Sequence, residues 1–337
     1  MPKVSLTLPC FDCAATLPAC LYSLLAQTLG DFEIVAVDDG STDATAGVLA
    51  EYARRDSRLR PILAPHRGMV AALNAALAAC RSGLVARMDA DDVAAPERLA
   101  VQVRHLDEHP GVGLVGCRVA FGGDREKSGG YARYVDWQNR LLSFEQVSVN
   151  RFVESPFAHP SILFRRELVE RFGGYRQGPF PEDYELILRW LEAGVRMEKV
   201  PQTLLVWNDP ATRLSRSDPR YATRAFYEVK TGYLARFLAR HNPHHPRVVV
   251  LGAGRETRRR ADLLLGHGVT IEAYLDIDPR KVGRVVRGRP VRHREQLPGP
   301  GAVFCLSYVA SRGAREDIEA FLTGRGYRAG RDFLLAA

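Results

Sequence analysis

The chain predicts an α/β protein: a doubly wound, mostly parallel sheet, then a helical linker, then a second, smaller Rossmann-like α/β domain. Three observations predict it. Strand-like and helix-like segments alternate from residue 4 onward, which favours parallel strands covered by helices on both faces. Two apolar runs, Ile34-Val35-Ala36-Val37 and Leu84-Val85-Ala86-Arg87-Met88, end in knots of carboxylates, Asp38-Asp39 and Asp89-Ala90-Asp91-Asp92. A buried strand that delivers acidic side chains at its C-terminal end is how an open α/β sheet builds a ligand crevice. Two such ends in one half of the chain point to one site for something cationic, most simply a divalent metal carrying a phosphorylated ligand. Finally, Val248–Leu251 followed by Gly252-Ala253-Gly254 restarts the strand–turn–helix pattern near residue 247.

The elements follow in order. Val4–Leu8 is a strand and Leu17–Gln27 an amphipathic helix with Leu17, Leu21, Leu24 and Leu25 on one face. Phe32–Val37 is the next strand. Ser41 or Thr42 then caps a helix through Ala53, because a side-chain hydroxyl satisfies the orphan N–H groups of a first turn. Leu59–Leu63 is a short strand, Val70–Ala79 a helix and Leu84–Met88 the strand that meets the second acidic knot. Pro96 opens the helix Glu97–Glu108, which stops at His109-Pro110-Gly111. Val112–Val115 is a further strand, and residues Gly122–Val153 read as irregular loops and a lid.

Order resumes with the strand Ser161–Phe164 and the helix Arg166–Phe172, closed by Gly173-Gly174. Phe180-Pro181-Glu182-Asp183 introduces the helix Tyr184–Ala193. Pro219–Arg240 reads as one long helix with Phe226, Tyr227, Tyr233, Leu234, Phe237 and Leu238 on one face and Arg224, Glu228, Arg236 and Arg240 on the other. A helix docked on the first domain is one reading; a basic amphipathic surface that touches a membrane is the other. His241-Asn242-Pro243-His244-His245-Pro246 is an interdomain joint. After it come the helix Glu256–Gly266, the strand Thr270–Leu275 ending at Asp276, the strand Ala302–Leu306 and the helix Ala314–Arg325. The expected boundaries are 1–215, 216–246 and 247–337.

Composition narrows the function classes. With 337 residues, 46% hydrophobic and 26% charged, the chain has an ordinary globular composition and room for two cores. No apolar run reaches membrane-spanning length, and the N-terminus carries no signal-peptide pattern. The net charge is +8, and 42 of the 47 basic residues are Arg, a surface that attracts nucleotides or anionic lipid. Without a helix-turn-helix, zinc-finger or RNP pattern, nucleic acid is not an expected partner. Six cysteines lie in mostly apolar contexts, and Cys10-x-x-Cys13 has no second ligand pair at zinc spacing; buried thiols in a reducing cytoplasm are the expectation.

Five segments together carry a family resemblance: Val4-Ser5-Leu6-Thr7-Leu8-Pro9, Gln27-Thr28-Leu29-Gly30-Asp31-Phe32-Glu33-Ile34, Val37-Asp38-Asp39-Gly40-Ser41-Thr42-Asp43, Met88-Asp89-Ala90-Asp91-Asp92 and Glu182-Asp183. In this order and spacing, over roughly residues 1–210, the chain resembles the family 2 inverting glycosyltransferases of GT-A fold. The resemblance implies a nucleotide-sugar donor with UDP as its nucleotide, a hydroxyl acceptor on a glycan, lipid-linked oligosaccharide or protein, and Mn²⁺ or Mg²⁺. A cation held by Asp-x-Asp would stabilise charge on the departing diphosphate, and carboxylates suit those hard ions. Asp91 is then the principal metal ligand, Asp89 a ribose contact or water-bridged ligand, and Asp92 a support behind them. Asp39 reads the base through its imide N–H and Asp38 assists the ribose. Pro9 and Phe11 wall the nucleoside, with Asp12 where the family usually has Asn. Arg67 contacts base or phosphate, and Arg213 and Arg216 lie in a loop, residues 211–217, that closes over the diphosphate.

The same resemblance makes Asp183 the base that takes the acceptor proton, with Glu182 orienting it or touching the acceptor. The helix N-terminus is expected to lower the pKa of Asp183 and keep it ionised at neutral pH. His159 lines the acceptor pocket or packs within its loop. Leu186 stands where processive members carry Gln, three positions before Arg189-Trp190, so one sugar per encounter is expected. The last ninety residues resemble small nucleotide-sugar-binding Rossmann units. Thr257 replaces the third glycine of the dinucleotide fingerprint, and Asp276 could hold a ribose. A scaffold or homo-oligomerisation module is favoured there over a ligand site. The competing reading of the whole chain is a non-catalytic nucleotide-sugar sensor.

Overall fold

A computed structural model describes residues 1–210 and 213–337, which form two units: residues 1–147 with 156–221, and residues 148–155 with 222–337. In the first unit eight strands make one sheet: β1 (Val4–Cys10), β2 (Phe32–Asp38), β3 (Leu59–Leu63), β4 (Leu84–Arg87), β5 (Val93–Ala94), β6 (Val112–Phe121), β7 (Leu163–Arg165) and β8 (Arg196–Trp207). Their spatial order is β3-β2-β1-β4-β7-β6-β8-β5. β3, β2, β1 and β4 run parallel, β7 runs antiparallel between β4 and β6, and β6 pairs parallel with β8. Every residue of β1 and β2 is buried, as a strand covered by helices on both faces requires. Buried polar side chains among them are paired: the Ser5 hydroxyl donates to Glu33 at 2.6 Å, and Glu33 also meets Arg60 and Arg81.

Eight helices clothe this sheet: α1 (Leu17–Leu25), α2 (Thr45–Arg55), α3 (Met69–Ala79), α4 (Arg98–Glu108), α5 (Gly129–Gln138), α6 (Phe144–Asn150, which runs into the second unit), α7 (Glu167–Phe172) and α8 (Glu182–Glu192). The start of α2 differs from expectation. Asp43, not Ser41 or Thr42, accepts the Thr45 N–H at 2.9 Å, because the Ser41 hydroxyl is held by Asp38 at 2.5 Å. The 122–153 region, expected to be irregular, contains α5 and α6. Gly129-Gly130, within that stretch, starts a helix whose Tyr134 packs 5.8 Å from Trp207. The twelve-residue strand β8 is also absent from the sequence reading, because its middle, Pro201-Gln202-Thr203, is exposed and breaks the alternation.

A short turn, α9 (Leu214–Ser217), closes this part of the chain. The second unit carries α10 (Thr223–His241), β9 (Arg247–Leu251), α11 (Arg255–Ala261), β10 (Thr270–Asp276), β11 (Val285–Val286), β12 (Arg289–His293), β13 (Cys305–Ser307), α12 (Ala314–Gly324) and β14 (Phe333–Leu335). Its sheet runs β11-β12-β10-β9-β13-β14, parallel except for β11. α10 belongs to this unit. Its Tyr227, Tyr233, Leu234 and Leu238 are buried, with Phe237 edge-on to Phe152 at 5.9 Å, so the aromatic face is covered by the unit's own side chains. Asp276, which could hold a ribose, accepts the Ala253 N–H of the glycine turn at 2.7 Å and pairs with Lys281 at 3.2 Å. Among the described residues no helix is long and apolar enough to cross a membrane.

Candidate active site

The parallel strands β1, β2, β3 and β4 deliver their C-terminal ends to one edge of the sheet, and the predicted acids stand there. β4 ends at Arg87, and the chain leaves it through buried Met88 into Asp89, Asp91 and Asp92. One carboxylate oxygen from each of these three lies within 4.8 Å of the others, the one such cluster of potential metal ligands among the described residues. The end of β8 clamps the turn from the far side. The Asn208 N–H donates to Asp92 at 2.8 Å, and its amide donates to the Asp91 carbonyl at 2.7 Å. The second oxygen of Asp92 is buried with no hydrogen-bond partner.

This arrangement is electrostatically unfinished. Burial, then the neighbouring Asp89, pushes the Asp91 carboxyl up to about 6, and burial with Asp89 and Asp91 raises that of Asp92 well above the usual range. Arg87, itself buried, pairs directly with Asp89 and is the nearest compensating charge. Three converging carboxylates with an orphaned oxygen are a hard, anionic donor set that fits a divalent cation of the Mn²⁺ or Mg²⁺ kind.

The ends of β1 and β2 hold the second cluster. Pro9 is buried within β1, while Phe11 emerges from its end. Asp12 adopts φ 43° and accepts the Thr42 N–H at 2.7 Å, which ties the β1 loop to the β2 loop. Asp38 accepts from the Ser41 N–H at 3.0 Å as well as from its hydroxyl. Asp39 accepts the backbone N–H groups of Arg67 at 2.9 Å and Gly68 at 2.8 Å, and its second oxygen also pairs with His66 Nδ1 at 2.9 Å. Its side chain is only 5% exposed. Asp39, expected to meet a base directly, also holds the loop after β3 through these bonds, and the Arg67 side chain is exposed.

At the head of α8, Glu182 and Asp183 face a set of side chains from distant segments. Both Glu182 oxygens receive the Tyr221 hydroxyl at 2.8 Å, and burial raises the Glu182 carboxyl. Asp183 accepts the Tyr184 N–H at 2.7 Å, yet burial and then Glu182 push its carboxyl up to about 7. This corrects the expectation of a lowered value. A helix terminus contributes at most a few tenths to one kcal/mol at an exposed site, and desolvation beside a second carboxylate outweighs it here. His159 donates to or accepts from the Tyr175 hydroxyl at 2.7 Å and is held neutral by burial and then by Arg87. Tyr175 in turn is fixed by a two-bond bridge from its backbone to the Asn74 amide, at 2.9 and 3.0 Å.

The Arg213 guanidinium carbon lies over the Trp207 ring, 3.7 Å from its centroid; Arg213 donates to the Asn208 carbonyl at 3.0 Å, and its charge lowers the Asp91 carboxyl. Arg216 pairs with Asp209 at 2.5 Å. Ala211 and Thr212, within the loop expected to close over a diphosphate, lie outside the described residues. Arg87, His66, Tyr175, Asn208 and Tyr221 were not legible as site residues. Each becomes one only through a partner at least 27 positions away or through a strand end that periodicity does not mark.

Comparison with known proteins agrees with this architecture. A family model described as glycosyl transferase family 2 matches residues 5–173. The chain is 33% identical over 195 residues, 56% of its own length and 69% of the relative's, to the amylovoran biosynthesis glycosyltransferase AmsE of Erwinia amylovora. It is 27% identical over 221 residues, 64% of its length and 81% of the relative's, to the O-antigen biosynthesis glycosyltransferase WbnJ of Escherichia coli. Among solved structures, S. aureus TarS 1–349 in complex with UDP-GlcNAc superposes with TM-score 0.54 at 18% identity, covering 78% of this chain and 70% of that one. The mannosyltransferase PcManGT of Pyrobaculum calidifontis, in complex with GDP-Man and Mn²⁺, gives 0.50 at 23%, covering 71% and 64%. The sheet is therefore that of the GT-A fold, and the chain belongs to glycosyltransferase family 2.

Proposed function

We propose that residues 1–215 catalyse an inverting, metal-dependent transfer of one sugar per encounter from a nucleotide-sugar, UDP-linked, to a hydroxyl acceptor in polysaccharide or glycan assembly at the cytoplasmic side. The observation that carries the reading is the convergence of Asp89, Asp91 and Asp92 at the end of β4, with the second Asp92 oxygen buried and without a hydrogen-bond partner. The biosynthetic names of the relatives and the UDP-GlcNAc and GDP-Man complexes of the structural neighbours support it.

In that reaction the acceptor oxygen attacks the anomeric carbon from the face opposite the diphosphate. The new C–O bond forms as the bond to the phosphate oxygen breaks, and its electron pair leaves with the nucleoside diphosphate. Asp183 takes the acceptor proton, and a carboxyl near 7 is well matched to that task at neutral pH. Glu182, fixed by Tyr221, orients the acceptor side. Arg213, held over the Trp207 ring, would offer its guanidinium to the diphosphate. A divalent cation bound by Asp91 and Asp89 would supply charge stabilisation to the departing diphosphate.

The test is calorimetric titration of UDP with and without Mn²⁺ on wild type and Asp91→Asn, followed by anomer analysis of the product formed from UDP-sugars. Mn²⁺-dependent binding that Asp91→Asn abolishes, with inverted product, is the expected result. A retained anomeric configuration would sink the mechanism, and binding without turnover of any sugar nucleotide would leave a sensor.

A further inference from the structure

Charge is unevenly placed along the chain. Residues 247–337 carry 17 Arg and Lys against 10 Asp and Glu, so +7 of the net +8 lies there and the first 246 residues are close to neutral. A compositional bias toward Arg would raise the count throughout, yet acids match it in one part of the chain and not in the other. Within the basic part, residues 280–294 hold six Arg and one Lys and no acid. They form the end of the loop out of β10 and the β11–β12 hairpin at the edge of the second unit's sheet.

The hairpin turns on Arg287 and Gly288, both at positive φ, 54° and 76°, the left-handed pair that a tight two-residue turn uses. Register places Val285 opposite Pro290, and Arg292 follows two residues further along β12, so these three share one face. Val285 is 70% exposed, and Ile277, in the loop that leads to the hairpin, is 59% exposed. Arg280, Lys281, Arg287 and Arg289 are matched by Asp276, Asp278 and Asp262. Arg284 and Arg292 are exposed, and among the described residues neither has a carboxylate partner. Val285 thus stands bare between two unmatched guanidinium groups, Arg284 beside it in sequence and Arg292 diagonal to it across the hairpin.

We propose that this hairpin docks the second unit on an anionic lipid surface, with Val285 and Ile277 entering the headgroup layer and Arg284 and Arg292 meeting its phosphates. Aliphatic side chains exposed among cations gain twice at such a surface, through apolar burial and through attraction to anionic headgroups. A soluble polyanion would take up the charge and leave Val285 and Ile277 in water. A second copy of the chain is the wrong partner for this edge. β11 is two residues long, and pairing it with its own copy would bring like charges together.

The experiment is flotation of the full chain over a range of lipid concentration, with vesicles of phosphatidylcholine alone and of phosphatidylcholine and phosphatidylglycerol in equal parts. Wild type, the double variant Arg284→Gln/Arg292→Gln and Val285→Trp are compared. Wild type is expected to float with the anionic vesicles only, and less as salt is raised. The double variant should bind roughly 25-fold more weakly, about five-fold for each charge lost. Val285→Trp should bind more tightly, and its added fluorescence should shift to the blue on anionic vesicles. All three positions are exposed, so the thermal midpoints should coincide, which separates lost docking from lost folding. Wild type that ignores anionic vesicles, or a double variant that binds them undiminished, overturns the inference. A Val285→Trp signal that shifts equally with dextran sulfate in solution also overturns it and makes the hairpin a polyanion site.

Discussion

The Tyr221 hydroxyl lies 2.8 Å from both carboxylate oxygens of Glu182, joining the chain just before α10 to the head of α8. Glu182 is buried, and its charge is one of the causes that raise neighbouring Asp183. The bond thus acts on Asp183 through Glu182: it favours an ionised Glu182, and that charge makes Asp183 a stronger base. Tyr221→Phe should let Glu182 hold its proton to higher pH, relieve the repulsion on Asp183 and move the ascending limb of kcat/KM toward acid. The pH profile of the variant, set beside its thermal midpoint, checks this.

Asp183 itself sets a pH window. With its carboxyl near 7, turnover should rise with pH through about 7 as the base ionises. The stability sign is the opposite. The folded value lies above an unfolded value of about 3.9, so this group's contribution is fully present below that value and is lost as pH rises through 7. Asp183→Asn should lower kcat by about 10²–10⁴-fold, leave nucleotide binding in place and flatten that part of the stability profile. Equal activity of Asp183→Asn would remove it as the base.

The acidic turn makes a prediction about metal and stability together. Asp91 is pushed up to about 6 by burial and by Asp89, so without a cation its ionisation disfavours the fold as pH rises through 6. Mn²⁺ should raise the thermal midpoint at pH 7.5, and the rise should shrink below about pH 6 as protons compete. Asp91→Asn should raise the metal-free midpoint while abolishing the Mn²⁺-dependent increase, a pair of opposite effects that scanning calorimetry reads in one series.

Gly40 is where the loop after β2 meets the loop after β3 most closely. It sits at φ 73°, and an added Cβ would meet the His66 backbone nitrogen at 2.7 Å. Gly40→Ala should cost about 1–3 kcal/mol of stability from left-handed strain alone, measurable by urea unfolding. It should also displace His66 and Phe11, weakening UDP more than it weakens Mn²⁺ binding in the absence of nucleotide.

The alternation of strands and helices around β1 to β4, the two acid-ended strands, the glycine-marked restart at β9 and the family are legible in the residues alone, because these are local patterns in which each residue's role depends on near neighbours. α5, α6 and β8 were not legible: a Gly-Gly pair that opens a helix and an exposed Pro201-Gln202-Thr203 inside a strand look irregular until Trp207 packs on Tyr134. Tertiary structure alone decided what the acids are worth. Asp183 is raised, not lowered, because burial and then Glu182 outweigh a helix terminus. Asp39 also holds the loop after β3 because that loop folds its N–H groups onto it, and Arg87 becomes a counter-ion because β4 buries it beneath Asp89. Desolvation and charge pairing depend on which distant segments close around a side chain, and a linear pattern of residues does not carry that distance.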